Sequence, residues 1–285
     1  MPEPTSTDRV LGSRIVRSRS LGGGGWTSVH LVELDDGRRV VVKRSNSLDL
    51  RIEAAMLDVL ADRSNLPTPR VEHVSAGILV MAYVAADSPI DARAERHAAD
   101  LLADLHTRIS PDGTYGLHFD GLIGALPQRN TPCVSWVEFY REHRLLAMMH
   151  HAGPNLRSGT VARLERLASR LGEMAPDRPR PSLLHGDVWS GNVLVDHGRI
   201  AALIDPAAYY GHAEVELAFI ELFSTFGDAF FEQYASAAGW SAADRREYAR
   251  HRRDLYTVYP LLVHVALFGA GYLGQLEQCL SRLGC

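Results

Sequence analysis

Residues 183–206, in the second half of the chain, limit its possible fold more than any other stretch. Their sequence is LLHGDVWSGNVLVDHGRIAALIDP, in which polar residues stand before and between two short apolar runs. The apolar runs, 193–195 and 200–204, flank a polar turn that contains glycine, and this pattern predicts a β-hairpin. Because a hairpin returns the chain to its starting point, we expect Asp205 to lie beside Asn192.

Polar residues in this stretch have the spacing of a phosphoryl-transfer loop. His185, Asp187 and Asn192 follow the pattern H-x-D-x-x-x-x-N, in which the carboxylate accepts a hydroxyl proton and the amide oxygen helps to bind Mg²⁺. Asp205 adds a second carboxylate, an oxygen ligand that Mg²⁺ prefers. The alternative is that His185 and Asp187 only brace a turn, but spacing, order and flanking strands agree with the catalytic interpretation. Asp187 is therefore the predicted catalytic residue, and Asn192 and Asp205 are the predicted metal ligands.

A run of four glycines near the N-terminus predicts a second part of the same site. Glycines let the backbone approach a ligand closely and point N–H groups at phosphate oxygens. The run leads into alternating apolar segments at 29–34 and 39–43, which indicate a β-hairpin. This excludes phosphate loops that open a helix and is typical of the glycine-rich lid of kinases, which binds ATP. The glycines predicted to contact the nucleotide are Gly23, Gly24 and Gly25.

Two charged residues extend the predicted nucleotide site. Lys43 ends an apolar strand, the position from which a kinase lysine binds the α- and β-phosphates. Glu53 follows ten residues later on a helix predicted over 48–60, where it can pair with Lys43. Alone, each would be an ordinary solvated charge. The backbone that could bind adenine belongs to Met81, Ala82 and Tyr83.

The chain as a whole predicts an α+β, two-lobe, protein-kinase-like architecture. Strands and one helix form an N-terminal nucleotide-binding lobe at 1–84, and a mostly helical catalytic and acceptor-binding lobe at 85–285 carries the hairpin. The first helix of the second lobe is predicted to start at Ser88 as N-cap. Segment 110–135 reads as irregular, a kind of segment that is often functional. Further helices are predicted over 136–151, 158–174, 213–234 and from 242 to the end.

Charge and cysteine content limit the partners and the compartment. A formal net charge of −4 gives no general attraction to nucleic acid or to an anionic membrane. Segment 255–276 has no Asp, Glu, Lys or Arg, but Pro260, His264 and three glycines interrupt it, so we interpret it as buried helices. Three cysteines without metal-ligand spacing, and no apolar leader segment, predict a cytoplasmic protein. We expect a monomer.

The order of these residues resembles the protein-kinase-like superfamily, in its small-molecule branch with aminoglycoside and choline kinases. As in that branch, Asp205 is followed by Pro206 in place of Phe-Gly, and no Ala-Pro-Glu motif is recognisable. Within the branch, the catalytic loop with Trp189 and the Tyr-Gly-His segment at 210–212 look like the signature of the fructosamine kinase (ketosamine-3-kinase) family. Further matches spread the resemblance along nearly the whole chain: Tyr115-Gly116, Pro127-Gln128, Trp136 and His143-Arg144-Leu145.

This resemblance implies ATP- and Mg²⁺-dependent phosphorylation of the 3-hydroxyl of a ketosamine. The acceptor is a small-molecule ketoamine or a glycated protein lysine, and phosphorylation makes the adduct labile and so repairs it. The resemblance also implies that Leu194 lies beneath adenine and that Trp189 and His264 contact the sugar. A lone histidine in an apolar helix is as readily a core residue, so His264 has two open interpretations.

Two other functions are open to a chain with these motifs. An aminoglycoside-type antibiotic kinase would share the nucleotide chemistry and differ in its acceptor pocket, which should be acidic because aminoglycosides are polycations. Trp189 and the 210–212 segment favour the ketosamine interpretation. A pseudokinase, a binding module without turnover, is disfavoured because all the expected catalytic groups are present.

Overall fold

The N-terminal part of the protein is a five-stranded antiparallel sheet covered by a helix. The structure is a computed structural model that describes residues 10–22 and 25–285. The strands are β1 (Ile15–Gly22), β2 (Ser28–Leu34), β3 (Arg39–Arg44), β4 (Val71–Ser75) and β5 (Ile78–Ala82), in the spatial order β1-β2-β3-β5-β4. Helix α1 (Leu50–Arg63) follows β3 and is capped by the Asp49 carboxylate. Its apolar side, including Leu57, packs on Leu79 and Met81 of β5.

The second part begins with helix α2 (Ala92–Leu105), which starts later than predicted. The Asp91 carboxylate caps it by accepting hydrogen bonds from two backbone N–H groups of its first turn. Ser88 was wrongly predicted as the N-cap: its N–H donates to the carbonyl of Val195, and its hydroxyl accepts a hydrogen bond from the His197 N–H. Aspartate caps helices as well as serine does, and Ser88 ties the connector to the catalytic hairpin instead.

The remaining helices build most of the second part. They are α3 (Trp136–Tyr140), α4 (Ala147–Ala152), α5 (Ser158–Met174), α6 (Ala213–Leu222), α7 (Asp228–Ala237), α8 (Ala242–Glu247), α9 (Arg253–Phe268) and α10 (Leu273–Arg282). π-Helical segments continue α3 into α4 and α8 into α9. The helices predicted over 136–151 and 158–174 are confirmed.

Two long predicted helices are interrupted. The helix predicted over 213–234 breaks at 223–227, between α6 and α7. From 242 onward, where helices interrupted by glycines are predicted, α9 ends at Gly269, whose φ of 81° lies in the left-handed region that favours glycine. Both breaks lie next to aromatic residues, Phe223 and Phe268, that line the cavity described below. The prediction therefore missed the turn at 223–227, whereas the glycines of segment 255–276 indicated the end of α9.

Short hairpins carry the polar residues of the second part. The predicted catalytic hairpin is confirmed as β9 (Val193–Asp196) and β10 (Arg199–Leu203). Its turn places His197 and Gly198 at φ values of 47° and 70°, the conformation of tight hairpin turns. The other pairs are β8 (Ser182–Leu184) with β11 (Tyr209–Gly211), and β6 (Gly121–Ile123) with β7 (Leu126–Gln128). The β6–β7 hairpin lies inside segment 110–135, which was predicted to be irregular.

The apolar core of the second part surrounds α9. Leu255, Leu261 and Val265 are buried there, as predicted for segment 255–276. Trp136 is fully buried and donates its indole N–H to the Tyr256 hydroxyl, 3.0 Å away. Within the described part of the chain, no helix has the length and apolar character needed to span a membrane. The division into lobes at residue 84 stays a prediction.

Candidate functional site

Lys43, near the end of β3, connects the sheet to both α1 and the catalytic hairpin. Its Nζ lies 2.8 Å from Glu53 Oε2 and 3.0 Å from Asp205 Oδ1. Lys43 and Glu53 are buried, whereas the Asp205 side chain is 44% exposed. Burial lowers the pKa of Lys43, but attraction to the two carboxylates outweighs it and the net pKa is raised. The structure therefore holds Lys43 as an ammonium ion between both acidic groups.

Asp187 and Asn192 lie on the loop between β8 and β9 and are hydrogen-bonded to each other. Asn192 Nδ2 donates to Asp187 Oδ2 at 2.8 Å and to the Asp187 carbonyl at 2.9 Å. This orientation directs the amide nitrogen at Asp187 and leaves the amide oxygen for a cation. Burial raises the pKa of Asp187 to about 7, although the Asn192 hydrogen bond opposes the shift.

Asp205 returns beside Asn192 at the end of the hairpin, as predicted. The N–H of Ile204 donates to the Asn192 carbonyl at 3.1 Å. Asp205 has a φ of 53°, a left-handed conformation that is uncommon outside glycine and recurs at functional sites. The Asn192 amide oxygen and the Asp205 carboxylate fit Mg²⁺, which takes few protein ligands and completes its shell with phosphates and water. Among residues 10–22 and 25–285, no three His, Cys, Asp or Glu side chains group as a metal site.

Glu216 of α6 supports the catalytic loop from the side away from the cavity. It accepts hydrogen bonds from the Gly186 N–H at 2.6 Å and from His106 Nε2 at 2.9 Å. Burial raises the pKa of Glu216, but the hydrogen bond and charge of His106 outweigh burial and lower it overall. Gly186 has a φ of 86°, and a Cβ there would lie 2.1 Å from the Ala207 carbonyl oxygen. Glycine is therefore required in this loop.

A cavity of about 470 Å³ contains these polar groups on one side and an apolar surface on the other. The polar side consists of Lys43, Glu53, Asp187, Asn192 and Asp205. Thr27 also lines the cavity, and the apolar and aromatic part of the lining consists of Trp26, Leu48, Leu50, Met56, Leu122, Ile123, Gly124, Trp189, Pro206, Phe219, Phe223, Val263, His264, Leu267, Phe268 and Tyr272. The sequence indicated only Trp189 and His264 for this side. The irregular composition of segment 110–135 was the one sequence signal for residues 122–124.

Trp189 and His264 both lie in the cavity wall. Trp189 is 45% exposed and stands over Gly191, where a Cβ would come within 2.3 Å of its ring. His264 Nδ1 lies 2.8 Å from the carbonyl oxygen of Pro260 and therefore donates a hydrogen bond to it. Burial lowers the pKa of His264. The neutral ring therefore keeps Nε2 as a hydrogen-bond acceptor.

The residues predicted to bind adenine are not part of this cavity lining. The N–H groups of Ala82 and Tyr83 already donate to the carbonyls of Arg70 and Arg39, at 2.9 and 3.2 Å. Leu194 alternates with the buried Val193 and Val195, so its side chain faces away from the core. Gly23 and Gly24 lie outside the described residues, and Gly25 is exposed. Adenine contacts by Met81, Ala82, Tyr83 and Leu194 stay a prediction.

Comparisons with known proteins found matches along most of the chain. The family model of fructosamine kinases matches residues 5–284. A Synechocystis protein assigned as a ketoamine kinase is 31% identical over 284 residues, which are 94% of this chain and 90% of the relative. A chloroplastic protein-ribulosamine 3-kinase of Oryza sativa subsp. indica is 30% identical over 273 residues, 91% and 76% of the two chains.

The fold is also similar to that of a solved structure. A crystal structure assigned to a fructosamine-3-kinase from Thermobifida fusca has a TM-score of 0.87 and 32% identity, and the match covers 100% of both chains. The predicted fold class, α+β with an antiparallel N-terminal sheet and a mostly helical remainder, is confirmed.

Proposed function

The chain belongs to the fructosamine kinase family, and we propose that it is an ATP-dependent phosphotransferase that acts on the 3-hydroxyl of ketosamines. The observation that carries the proposal is one cavity in which Lys43, Asp187, Asn192 and Asp205 face an apolar wall. Relatives that match most of the chain are named ketoamine kinase and protein-ribulosamine 3-kinase. The acceptor is a small ketoamine or a glycated protein lysine, and phosphorylation at the 3-position makes the adduct labile, which repairs the glycated amine.

Asp187 is the proposed catalytic residue. Its carboxylate takes the proton of the acceptor hydroxyl while the sugar oxygen bonds to the γ-phosphorus and the bond to ADP breaks. Because burial raises the pKa of Asp187 to about 7, the carboxylate is more basic than an exposed aspartate. The hydrogen bond from Asn192 fixes its orientation.

Lys43 and the metal ligands are the proposed phosphate-binding groups. Glu53 holds the Lys43 ammonium, which contacts the α- and β-phosphates when ATP is bound. The Asn192 amide oxygen and the Asp205 carboxylate are suited to hold Mg²⁺. When bound, the ion neutralises charge on the phosphate oxygens. We propose that the glycine run covers the phosphates; of its predicted contacts, Gly25 belongs to the described residues, and Gly23 and Gly24 lie outside them.

We assign adenine to the border between the proposed lobes, 1–84 and 85–285. The ring would lie against segment 81–83, with Leu194 beneath it. The sugar would lie on the other side of Asp187, with one face on Trp189 and a hydroxyl donating to His264 Nε2. This arrangement would put the acceptor hydroxyl within reach of Asp187 and next to the γ-phosphate, in line with the bond to ADP.

The cavity does not favour an aminoglycoside as acceptor. Aminoglycosides are polycations, and their pockets need carboxylates beyond those that bind Mg²⁺. The acidic side chains of the described lining are Glu53, Asp187 and Asp205, all of which have a proposed role in nucleotide binding or proton transfer. Apart from Thr27, Lys43 and Asn192, the rest of the lining is apolar or aromatic.

Parallel turnover assays test this function. ATP and Mg²⁺ would be supplied with fructosyl-lysine, ribulosyl-lysine or an aminoglycoside, and ADP release would be measured with Asp187→Asn as blank. The matched control is Asp228→Asn, an exposed aspartate at the start of α7. We expect ketoamine turnover that the blank loses and the control keeps, with ³¹P NMR locating the phosphate at the 3-position. Turnover of the aminoglycoside alone would refute the acceptor assignment.

We also propose that the protein works as a monomer in the cytoplasm. Cys133, Cys279 and Cys285 are free thiols in the structure, which is consistent with a reducing compartment. Light scattering after size exclusion should give the mass of one chain, 31.4 kDa. A dimer mass at micromolar concentration would contradict the monomer.

A further inference from the structure

Five aromatic rings form a continuous surface on one side of the cavity, here called the aromatic wall. They belong to Trp26, Phe223, His264, Phe268 and Tyr272. The ring centroids of Trp26 and Phe268 are 6.4 Å apart, and those of Phe268 and Tyr272 are 6.2 Å apart. His264 lies 4.8 Å from Tyr272 and 4.6 Å from Phe223. Segments far apart in the sequence therefore converge on one ligand-sized surface.

Two members of the aromatic wall are exposed although they are large and apolar. Trp26 is 36% exposed and Phe268 is 57% exposed. Large exposed apolar side chains gathered at a cavity mark a binding surface more often than a folding requirement. Their backbone positions are fixed by their surroundings: the Ser45 hydroxyl donates to the Trp26 carbonyl at 2.7 Å, and Phe268 is the last residue of α9. The two rings contact each other from these positions.

The aromatic wall has no charged side chain. His264 is neutral, because its Nδ1 proton is donated to Pro260 and burial opposes a second proton. The carboxylates of the described lining lie with Lys43 on the polar side of the cavity. A cation on the aromatic side would therefore be recognised by ring faces, which attract ammonium groups through their electron-rich centres.

A ketosamine brings such a cation to the acceptor side. Its sugar is linked through C1 to a secondary amine, which is protonated near neutral pH as alkylamines are. Once the 3-hydroxyl lies at Asp187, the amine is two carbons further along the molecule. The substituent on the nitrogen must then leave through the mouth of the cavity, where Trp26 and Phe268 are exposed.

We propose that the aromatic wall binds the amine part of the acceptor, with the secondary ammonium against the ring faces and an apolar substituent along Trp26 and Phe268. This inference rests on the proposed function and adds the class of amine to it. Ketosamines of amines with apolar or aromatic substituents are the preferred acceptors. Ketosamines of glycine are poor acceptors, because their carboxylate would face the rings without a cation to pair with.

Kinetics with two variant pairs test this assignment. Trp26→Leu and Phe268→Leu keep an apolar side chain but remove the ring, whereas Trp26→Phe and Phe268→Tyr keep a ring. The acceptors are the fructose adducts of benzylamine and of glycine. A neutral ether that lacks the reacting hydroxyl, 1-O-benzyl-3-deoxyfructose, serves as a competitive inhibitor. Val134→Ala is the control, because Val134 is 63% exposed and lies outside the cavity lining.

In the wild type we expect a higher kcat/KM for the benzylamine adduct than for the glycine adduct. The leucine variants should raise KM for the benzylamine adduct by roughly 3- to 30-fold, the range of a desolvated cation–π contact. Their kcat should stay within about twofold, and the ring-keeping variants and Val134→Ala should match the wild type. The inhibition constant of the neutral ether should change much less than KM.

Three results would overturn the assignment. These are an unchanged KM in both leucine variants, an equal weakening of the charged adduct and the neutral ether, and equal use of the glycine and benzylamine adducts. The wild-type rates separate this inference from the proposed function. Turnover of both adducts with no effect of the leucine variants refutes only the aromatic wall, whereas no turnover of either adduct refutes ketosamine phosphorylation itself.

Discussion

At the scale of single residues, the buried ammonium group of Lys43 is held by two carboxylates. It contacts Glu53 and Asp205 at once, so loss of Glu53 leaves it free to turn toward Asp205 and away from the phosphates. Glu53→Gln should lower kcat/KM for ATP on the order of 100-fold, the usual cost of losing a preorganised electrostatic contact. ATP titration at saturating acceptor would measure it. Asp62→Asn, on the exposed side of α1, should match the wild type, and a normal kcat/KM in Glu53→Gln would contradict the role.

Gly186 provides a second test at this scale, because its neighbours leave no room for a side chain. Gly186→Ala would place a Cβ against the Ala207 carbonyl oxygen at a positive φ, so the catalytic loop must shift. We expect a loss of about 1–3 kcal/mol in stability and at least a tenfold lower kcat. Gly239→Ala is the matched control. Its φ is 68°, but nothing lies within 4 Å of the added Cβ. Both variants strain the backbone, but only Gly186→Ala should also displace the catalytic loop, and thermal melts and turnover assays of the two variants separate these effects. Equal losses of stability and activity in both variants would show that only backbone strain matters.

The sequence predicted the charged and polar residues of the site better than its aromatic residues. Lys43, Glu53, Asp187, Asn192 and Asp205 are recognisable because phosphoryl transfer requires those groups at fixed spacings. Trp26 and Phe268 could not be found in this way. Aromatic residues usually belong to a core, and only the three-dimensional structure reveals that these two are exposed and in contact.

At the scale of secondary structure elements, His212 links the start of α6 to α9. The Tyr256 hydroxyl accepts a hydrogen bond from Trp136 and therefore donates its own proton to His212 Nδ1, 2.8 Å away. Burial, with the charge of Arg252, lowers the pKa of His212 to about 3. The folded protein thus keeps this histidine neutral.

Stability should consequently depend on pH through His212. Above the unfolded-state pKa of about 6.5 the histidine is neutral in both states and stability is at its full value. Between 6.5 and about 3, only the unfolded chain takes up the proton, so stability falls with pH, by about 2 kcal/mol at pH 5. Urea unfolding of wild type and His212→Gln at pH 7.5 and 5 would measure this; the variant should lose less on acidification. His251→Gln, an exposed histidine, should behave like the wild type, and identical pH profiles for all three would contradict the assignment.

Element boundaries were predictable where a local signal marked them. The helix at 158–174 and the hairpin at 193–203 follow from apolar periodicity and a glycine turn. The break at 223–227 contains no proline, so apolar periodicity extends the predicted helix through it. The end of α9 at Gly269 was indicated by the glycines of segment 255–276. Phe223 and Phe268, at these two breaks, line the cavity. The sequence therefore missed one of the two element ends that shape the acceptor side.

At the scale of the whole molecule, the ion pair between Lys43 and Asp205 connects the two proposed lobes at the cavity. A nucleotide with Mg²⁺ would bind only the folded state, since its contacts come from β3, α1 and the catalytic hairpin together. At 100 times the Kd, binding should stabilise the protein by about 2.7 kcal/mol and raise Tm by roughly 5 °C.

Thermal melts with a non-hydrolysable ATP analogue, with and without EDTA, should resolve the contribution of the metal to this stabilisation. In the wild type, EDTA should remove most of the rise in Tm, because the phosphates lose the cation that links them to Asn192 and Asp205. In Asp205→Asn, the rise should be small and insensitive to EDTA, whereas Asp228→Asn should follow the wild type. An Asp205→Asn protein whose Tm still responds to Mg²⁺ would place the ion elsewhere. The joining of the lobes by the nucleotide would then depend on Lys43 and not on the metal.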